Sequence, residues 1–354
     1  MTIGARADDG RHKADCGLLS TLSSELQALE GAGTARCPFT TWTNAHADAT
    51  NLQGAAHVAL TRQPLSAIDR AHPAYYLLPA AAIFFALFLV PILINLVTAF
   101  TDWNAYRSGF NFIGLDNFVA AIESGDLLRV TRTTFLYSVA VVAAQNIFGF
   151  SLAMALERRT RVSNLFRAIF FVPCVVAIVV WGILFNQLLH PSGLVNQILS
   201  VLTGSEVAII WLGSVKYTIF VVAAVNSWMW TGFHMVIYIA AINAIPEDLI
   251  DAGKIDGLGY FARIRHVILP LIMQGISINV VLSTIGTLKV FDMVMVLTKT
   301  GPGGATNVYN TWIYEAFGQA LYGYASAINI FLIVLVTVIA YPLYFRMNRR
   351  VVDL

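Results

Sequence analysis

The chain reads as an all-α polytopic membrane protein with six transmembrane helices, both termini on the cytoplasmic side, and one polar helical island between the fourth and fifth spans. Three observations predict this. Of 354 residues, 57% are hydrophobic and only 12% are charged, too little polar surface to clothe a water-soluble particle. Six apolar runs are each about long enough to cross a ~30 Å hydrocarbon core at 1.5 Å per residue. The basic residues also fall in alternate connections, the pattern that fixes orientation in a bilayer.

Residues 1–70 mix Ala, Gly, Thr, Asp and Arg without a sustained apolar period, apart from a short amphipathic turn around Leu18 to Leu29. They are expected to be a disordered cytoplasmic extension; an over-extended start is the other explanation. The order of a secretory signal is missing, so the first span is expected to remain as an uncleaved anchor. The transmembrane domain, 71–350, carries spans at about 75–100, 134–156, 168–189, 217–245, 271–297 and 325–345. Arg158, Arg159, Arg161 and Arg167 follow the second span, Lys254, Arg263 and Arg265 lie in the island, and Arg346, Arg349 and Arg350 close the chain. Those segments are therefore assigned to the cytoplasm. Arg129 and Arg132 lie on the opposite side, but Asp116, Glu123 and Asp126 share their loop. The loops around Trp103, Trp211 and Trp312 are assigned to the outer interface, where amphipathic rings are favoured.

Several functions are poorly supported. A formal charge of +2 gives no basis for nucleic-acid binding. Cys16, Cys37 and Cys174 have no CxxC spacing, the seven histidines no HExxH or HxxxH, and no GxxxxGK[ST] loop occurs. No metal site or ATP-binding loop is encoded, so any ATP must be handled by another chain. No Ser-His-acid or paired-carboxylate group lies within the spans, which argues against an enzyme of intramembrane hydrolysis.

The island, residues 246–270 between Ile245 and Leu271, reads IPEDLIDAGKIDGLGYFARIRHVILPL with its flanks. Pro246 suits the first helical position, and Glu247 and Asp248 then place negative charge at the positive end of the helix dipole. Asp256-Gly257 supplies a stop, and a second helix is expected from Leu258 to Pro270. Asp251, Ala252 and Gly253 leave a small-residue notch that another protein could approach closely.

Polar groups inside the apolar runs are candidates for a solute pathway, because unsatisfied donors and acceptors are costly in hydrocarbon. Asn279, Ser283 and Thr287 recur every four residues in the fifth span and so share one helix face. Solute contact and interhelical hydrogen bonding both account for them. Lys289 and Asp292, three apart, are expected to form a structural ion pair, with solute contact the alternative. In the fourth span, Asn226, Trp228, Trp230 and His234 combine stacking surface with hydrogen-bonding groups, as polyol recognition requires; plain packing is the other reading. Gln145, Asn146 and Asn329 are weaker candidates.

The island closely resembles the cytoplasmic EAA coupling loop of permease subunits in binding-protein-dependent ABC importers: Asp251-Ala252-Gly253, then Gly257, then Leu269-Pro270, follow that family's E-A-A, G and L-P spacing. Phe112-Ile113-Gly114-Leu115-Asp116-Asn117-Phe118, Lys289-Val290-Phe291-Asp292 and Gly323-Tyr324-Ala325-Ser326-Ala327 resemble its sugar branch, the maltose and glycerol-phosphate importers. Asp251 stands where the family usually has Glu, Gly253 where it has Ala, and Lys299-Thr300 where it has Gly-Gly.

The resemblance implies a transport subunit of the bacterial cytoplasmic membrane. It implies as partners a second homologous permease, two ATPase subunits that bind ATP and Mg, and an extracytoplasmic solute-binding protein. Glu247, Asp251, Ala252, Gly253, Asp256, Gly257 and Pro270 are the residues it assigns to ATPase coupling, with the notch at Ala252 and Gly253 as the docking contact. The few basic groups in the spans point to an uncharged carbohydrate. A channel or ion-gradient-driven secondary transporter is the competing class.

Overall fold

The computed structural model describes residues 77–158 and 160–349, so the extension at 1–70 lies outside the described residues. The chain divides into a unit Met1–Ala81 and a unit Ala82–Leu354, and the packing described below is that of the second. Among the described residues the regular structure is helical, with one isolated bridge between Thr101 and Phe112. Four helices are long and apolar enough to cross a membrane: α1 (Leu78–Thr98), α3 (Asp126–Ala155), α7 (Thr218–Asn243) and α13 (Tyr322–Asn348).

The expected third and fifth spans are broken rather than continuous. The third is α4 (Arg161–Val175) and α5 (Ile178–Leu188), bent by 95°. Pro173 lies in the last turn of α4 and supplies no N–H to the helix, and Val176 and Ala177 turn to ψ values of 140° and 133°. The freed Pro173 carbonyl accepts the Trp181 indole N–H at 2.8 Å. The fifth span is preceded by α9 (Tyr260–Leu271) and begins at α10 (Met273–Leu288), the two bent by 74°. Pro270 therefore does not end the island's second helix: α9 widens to a π turn at Ile264–Ile268, upstream of the proline, and the bend falls at Ile272. Helix α10 stops at Leu288, and a separate α11 (Asp292–Thr298) follows, so the expected run 271–297 is two helices.

The remaining elements are α2 (Asp116–Glu123), α6 (Leu194–Thr203), α8 (Glu247–Ile255) and α12 (Tyr309–Gly318). Helix α3 packs along α7 and against α10, α10 also meets α13, and α5 pairs with α11. Two apolar clusters hold the α3–α7 bundle: Tyr137, Val141, Val222, Met229, Met293 and Val294 towards one end, and Ala153, Met235, Ile239, Ile242, Ile268 and Ile272 towards the island.

The segment between α1 and α2 shows why its sequence is as it is. Asn117 donates its side-chain amide to the carbonyls of Ala99 and Thr101 at 2.9 and 2.8 Å, satisfying acceptors that the end of α1 leaves over. Gly114, with φ of 62°, makes the turn that brings it there. Gly323 lies so close to the Thr101 carbonyl that any side chain would collide with it. In the same loop, the Asn111 backbone N–H on the Asp102 carboxylate holds that acid below the usual carboxylate range. Within the bilayer zone α1 and α13 are joined by Asn95 to Ser326 at 3.1 Å, Thr98 to Ser326 at 2.9 Å and Asn329 to Asn95 at 3.1 Å.

Helix α7 approaches α4 closely at Gly232, where an added Cβ would run into the backbone carbonyl of Phe170. Backbone cannot yield as a side-chain tip can. Gly232→Ala is expected to destabilise the protein by about 1–3 kcal/mol. Gly318→Ala, with open space around the new methyl, should leave the unfolding midpoint unchanged. Thermal unfolding of the detergent-purified protein followed by tryptophan fluorescence separates the two.

Candidate functional site

Two places gather the polar residues that the sequence singles out. The first is a cavity of about 320 Å³ between α3, α7 and α10, closed on one side by the start of α11. Helix α7 contributes Asn226, Trp230, Phe233 and His234; α10 contributes Leu282, Ser283, Gly286 and Thr287; α3 contributes Tyr137 and Gln145. Lys289 and Asp292, both exposed, stand beside it at the break between α10 and α11.

Its walls are tied by hydrogen bonds that cross between helices. The Ser138 and Thr287 hydroxyls are hydrogen-bonded at 2.7 Å, Asn146 donates to Ser283 at 3.1 Å, and Tyr238 donates to Asn146 at 2.6 Å. The Gln145 amide donates to Asn226 Oδ1 at 3.4 Å. Asn279 is fully buried, accepts from His234 Nδ1 at 2.9 Å and donates to the His234 carbonyl at 3.2 Å. The interhelical hydrogen bonds are present for all three residues of the four-residue spacing; Ser283 and Thr287 also line the cavity, whereas Asn279 does not.

Two expectations fail. Trp228 is 44% exposed and packs edge-on against Trp181 and Phe185, with ring centroids 4.9 and 5.4 Å away, outside this cavity. Two residues along a helix rotate a side chain by about 200°, so Trp228 and Trp230 cannot serve the same site. Lys289 and Asp292 form no ion pair either; among the described residues the pairs are Arg107–Asp102, Arg129–Asp126 and Lys254–Asp251. The helix break between them removes the i,i+3 geometry on which that expectation rested.

The second place is the island. Pro246, with ψ of 133°, caps α8 instead of entering it, and Glu247 and Asp248 occupy its first turn. At the other end Gly257 takes φ of 75°, its N–H meets the Lys254 carbonyl at 3.1 Å and the Leu258 N–H meets that of Gly253 at 3.0 Å, a Schellman closure about the Asp256 cap. The expected notch is filled from within. Gly253 is buried against the side chains of Val267, Leu258 and Arg263, so it faces α9 and not outward. Besides its charged residues Glu247, Asp248, Asp251 and Lys254, α8 exposes Leu249, Ala252 and Ile255, the last 86% exposed, with Phe261 of α9 83% exposed nearby in sequence. Asp251 is paired with Lys254 at 2.7 Å, and Pro270 is exposed within α9. Behind α8, a cleft of about 600 Å³ is lined by Glu157, Arg158, Glu247, Asp251, Lys254 and Arg263.

Tyr137 was invisible as a candidate from sequence, since an aromatic in an apolar run reads as packing. Its spacing of eight from Gln145, which returns it to the same face of α3, was the signal available.

Residues 145–353 match the family described as "Binding-protein-dependent transport system inner membrane component". The trehalose/maltose transport system permease protein MalF of Thermococcus litoralis is 34% identical over 229 residues, 64% of this chain and 76% of that one. The diacetylchitobiose uptake system permease protein NgcF of Streptomyces coelicolor is 30% identical over 281 residues, 76% and 79% of the two. A chain in the crystal structure of a bacterial alginate ABC transporter, in complex with an alginate pentasaccharide-bound periplasmic protein, superposes with a TM-score of 0.68 at 25% identity, covering 81% of this chain and 98% of its own.

The bracing role of Asn279 is measurable by a double-mutant cycle on His234→Ala and Asn279→Ala. A coupling energy of about 0.5–1 kcal/mol is expected in thermal unfolding, the range found for hydrogen bonds between membrane helices. Additive effects would show that the pair is not a brace.

Proposed function

Since the chain belongs to the family of binding-protein-dependent transport system inner membrane components, we infer that it is the permease subunit of a sugar ABC importer, a multi-pass membrane protein that carries solute and not the hydrolysis. The α3–α7–α10 cavity is the solute passage on this subunit. Trp230 and Phe233 give faces on which a sugar ring stacks, and Asn226, Ser283 and Thr287 give neutral hydrogen-bonding groups. That chemistry suits an uncharged carbohydrate.

The finer assembly follows the same reading. Six spans, counting each bent pair as one, put both termini and the island in the cytoplasm of a bacterium, with the passage opening to the outer side near Lys289 and Asp292. A second permease, two ATPase subunits that hold ATP and Mg, and an extracytoplasmic binding protein complete the importer. Apart from Asn95 and Thr98, which bond to α13, the Val90–Thr98 half of α1 leaves its side chains exposed, a face that suits the second permease.

The observation that carries the reading is the construction of the island. Helix α8 starts after Pro246 with two acids in its first turn, closes on Gly257, exposes Leu249, Ala252 and Ile255 among its charged residues, and is joined to the spans through Ile245, Ile268 and Ile272 in one apolar cluster with Ile242 of α7. A helix so held moves with the spans rather than flexing apart from them. It is the surface through which ATP-driven closure of the ATPase pair would rock α7 and α10. Asp251 serves this by fixing Lys254, and Gly253 by letting α8 sit against α9.

Proteoliposomes holding the permease pair and its ATPases, supplied with the binding protein, should take up sugar only with ATP. Uptake by this chain alone on a proton or sodium gradient would instead identify a secondary carrier. Ile255→Asp should lower ATP-dependent uptake by about tenfold or more, the loss of one central interface contact. Gly253→Ala should be nearly silent, because a methyl there meets Val267 at an ordinary 3.4 Å. Normal uptake by Ile255→Asp would sink the docking face.

A further inference from the structure

Among the described residues, three buried side-chain polar atoms have no hydrogen-bond partner: Thr134 Oγ1, Tyr137 OH and Gln145 Oε1. All three belong to α3. Their spacing of 3 and 8 places them, with Val141 between, on a single stripe of that helix. Tyr137 and Thr134 are 0% exposed and Gln145 is 3% exposed, and both Tyr137 and Gln145 line the solute cavity. Everywhere else α3 satisfies what it buries: Ser138 meets Thr287, and Asn146 meets Ser283 and Tyr238. A buried polar atom without a protein partner calls for a partner from elsewhere, and these three share one stripe, two of them at the cavity.

We propose that the Thr134–Tyr137–Gln145 stripe is a part of the solute passage that is closed in this conformation and that meets sugar hydroxyls when the passage opens. The inference rests on the importer reading above. It also states what chemistry the stripe selects. The Gln145 amide nitrogen is held by Asn226, so its free oxygen is presented as an acceptor, and it asks for a hydroxyl donor. The Tyr137 hydroxyl both donates and accepts, as does that of Thr134. No charge stands on the stripe. A neutral polyhydroxylated ring satisfies all three, whereas a solute lacking a hydroxyl opposite Gln145 leaves the acceptor unpaired and is discriminated against.

Isosteric removal of the orphan groups separates this from a structural role. Tyr137→Phe and Thr134→Val take away only atoms that make no bond here, so both variants should unfold at or above the wild-type temperature. A structural role predicts that stability and transport fall together. In the complete reconstituted importer, kcat/KM for labelled maltose or trehalose should fall roughly tenfold in each variant. Wild-type rates in both would overturn the proposal while leaving the importer reading intact. Failure of the wild type to move either sugar with ATP would count against the carbohydrate reading itself.

A second arm needs no solute. In an importer whose Cys16, Cys37 and Cys174 are replaced by Ser, Tyr137→Cys and Gln145→Cys should react with a water-soluble maleimide when the ATPases are trapped with ATP and vanadate, at least about tenfold faster than in the nucleotide-free state. Phe135→Cys, on the exposed side of the same helix, should show no such dependence. Equal labelling of the stripe in both states would overturn the inference whatever the transported sugar proves to be.

Discussion

Polar side chains that an apolar span carries out of water must find partners inside the protein, and here they find them across α3, α7 and α10. His234 with Asn279, Asn146 with Ser283 and Tyr238, and Ser138 with Thr287 form a seam that runs along the bundle. Each bond is worth little by itself. Together they fix the rotation of three helices about their axes, because a turn of one residue would strand every group at once. The cavity is the consequence: with the seam holding α3 and α10 to α7, the side chains of Trp230, Phe233 and Ser283 are left around a space that none of them fills.

Much of this was legible in the sequence. The apolar runs, the island's start and stop signals, and the shared face of Asn279, Ser283 and Thr287 all follow from local period and capping chemistry. What the runs could not reveal was their breaks. Pro173 and Pro270 sit inside apolar stretches, and hydropathy averages over the residues where the backbone turns. The Lys289–Asp292 pair fails for the same reason: three-residue spacing brings two side chains together only on a continuous helix, and α10 has already ended. Partner choice was also out of reach, since the residues that meet on this seam are 45 to 149 positions apart.

Gly253 shows a subtler limit. Small residues on a helix admit close approach, and the sequence cannot say by what. Here the approaching surface is Val267 and Arg263 of the same chain, which makes Gly253 a means of seating α8 on α9. The outward face is then set by the residues on the far side, Leu249, Ala252 and Ile255. An Asp at 251 in place of the longer Glu fits the same picture: it reaches Lys254 one turn away on the helix surface.

The geometry also says how the two candidate sites communicate. Helix α10 begins just after Ile272, which is buried in the apolar cluster with Ile268 of the island and Ile245 beside it, and ends at Leu288, immediately before Lys289 at the cavity. Its 16 residues span about 24 Å at 1.5 Å each. A bend of 74° separates it from α9, and the shared apolar cluster still ties its start to the island. In the proposed importer, a displacement of the island would enter α10 at one end and reach the break beside the cavity at the other, with the seam of Asn279, Ser283 and Thr287 as the fulcrum between them. In the proposed importer this makes α10 the lever, and it makes the hydrogen bonds that brace the closed passage the same ones about which it opens.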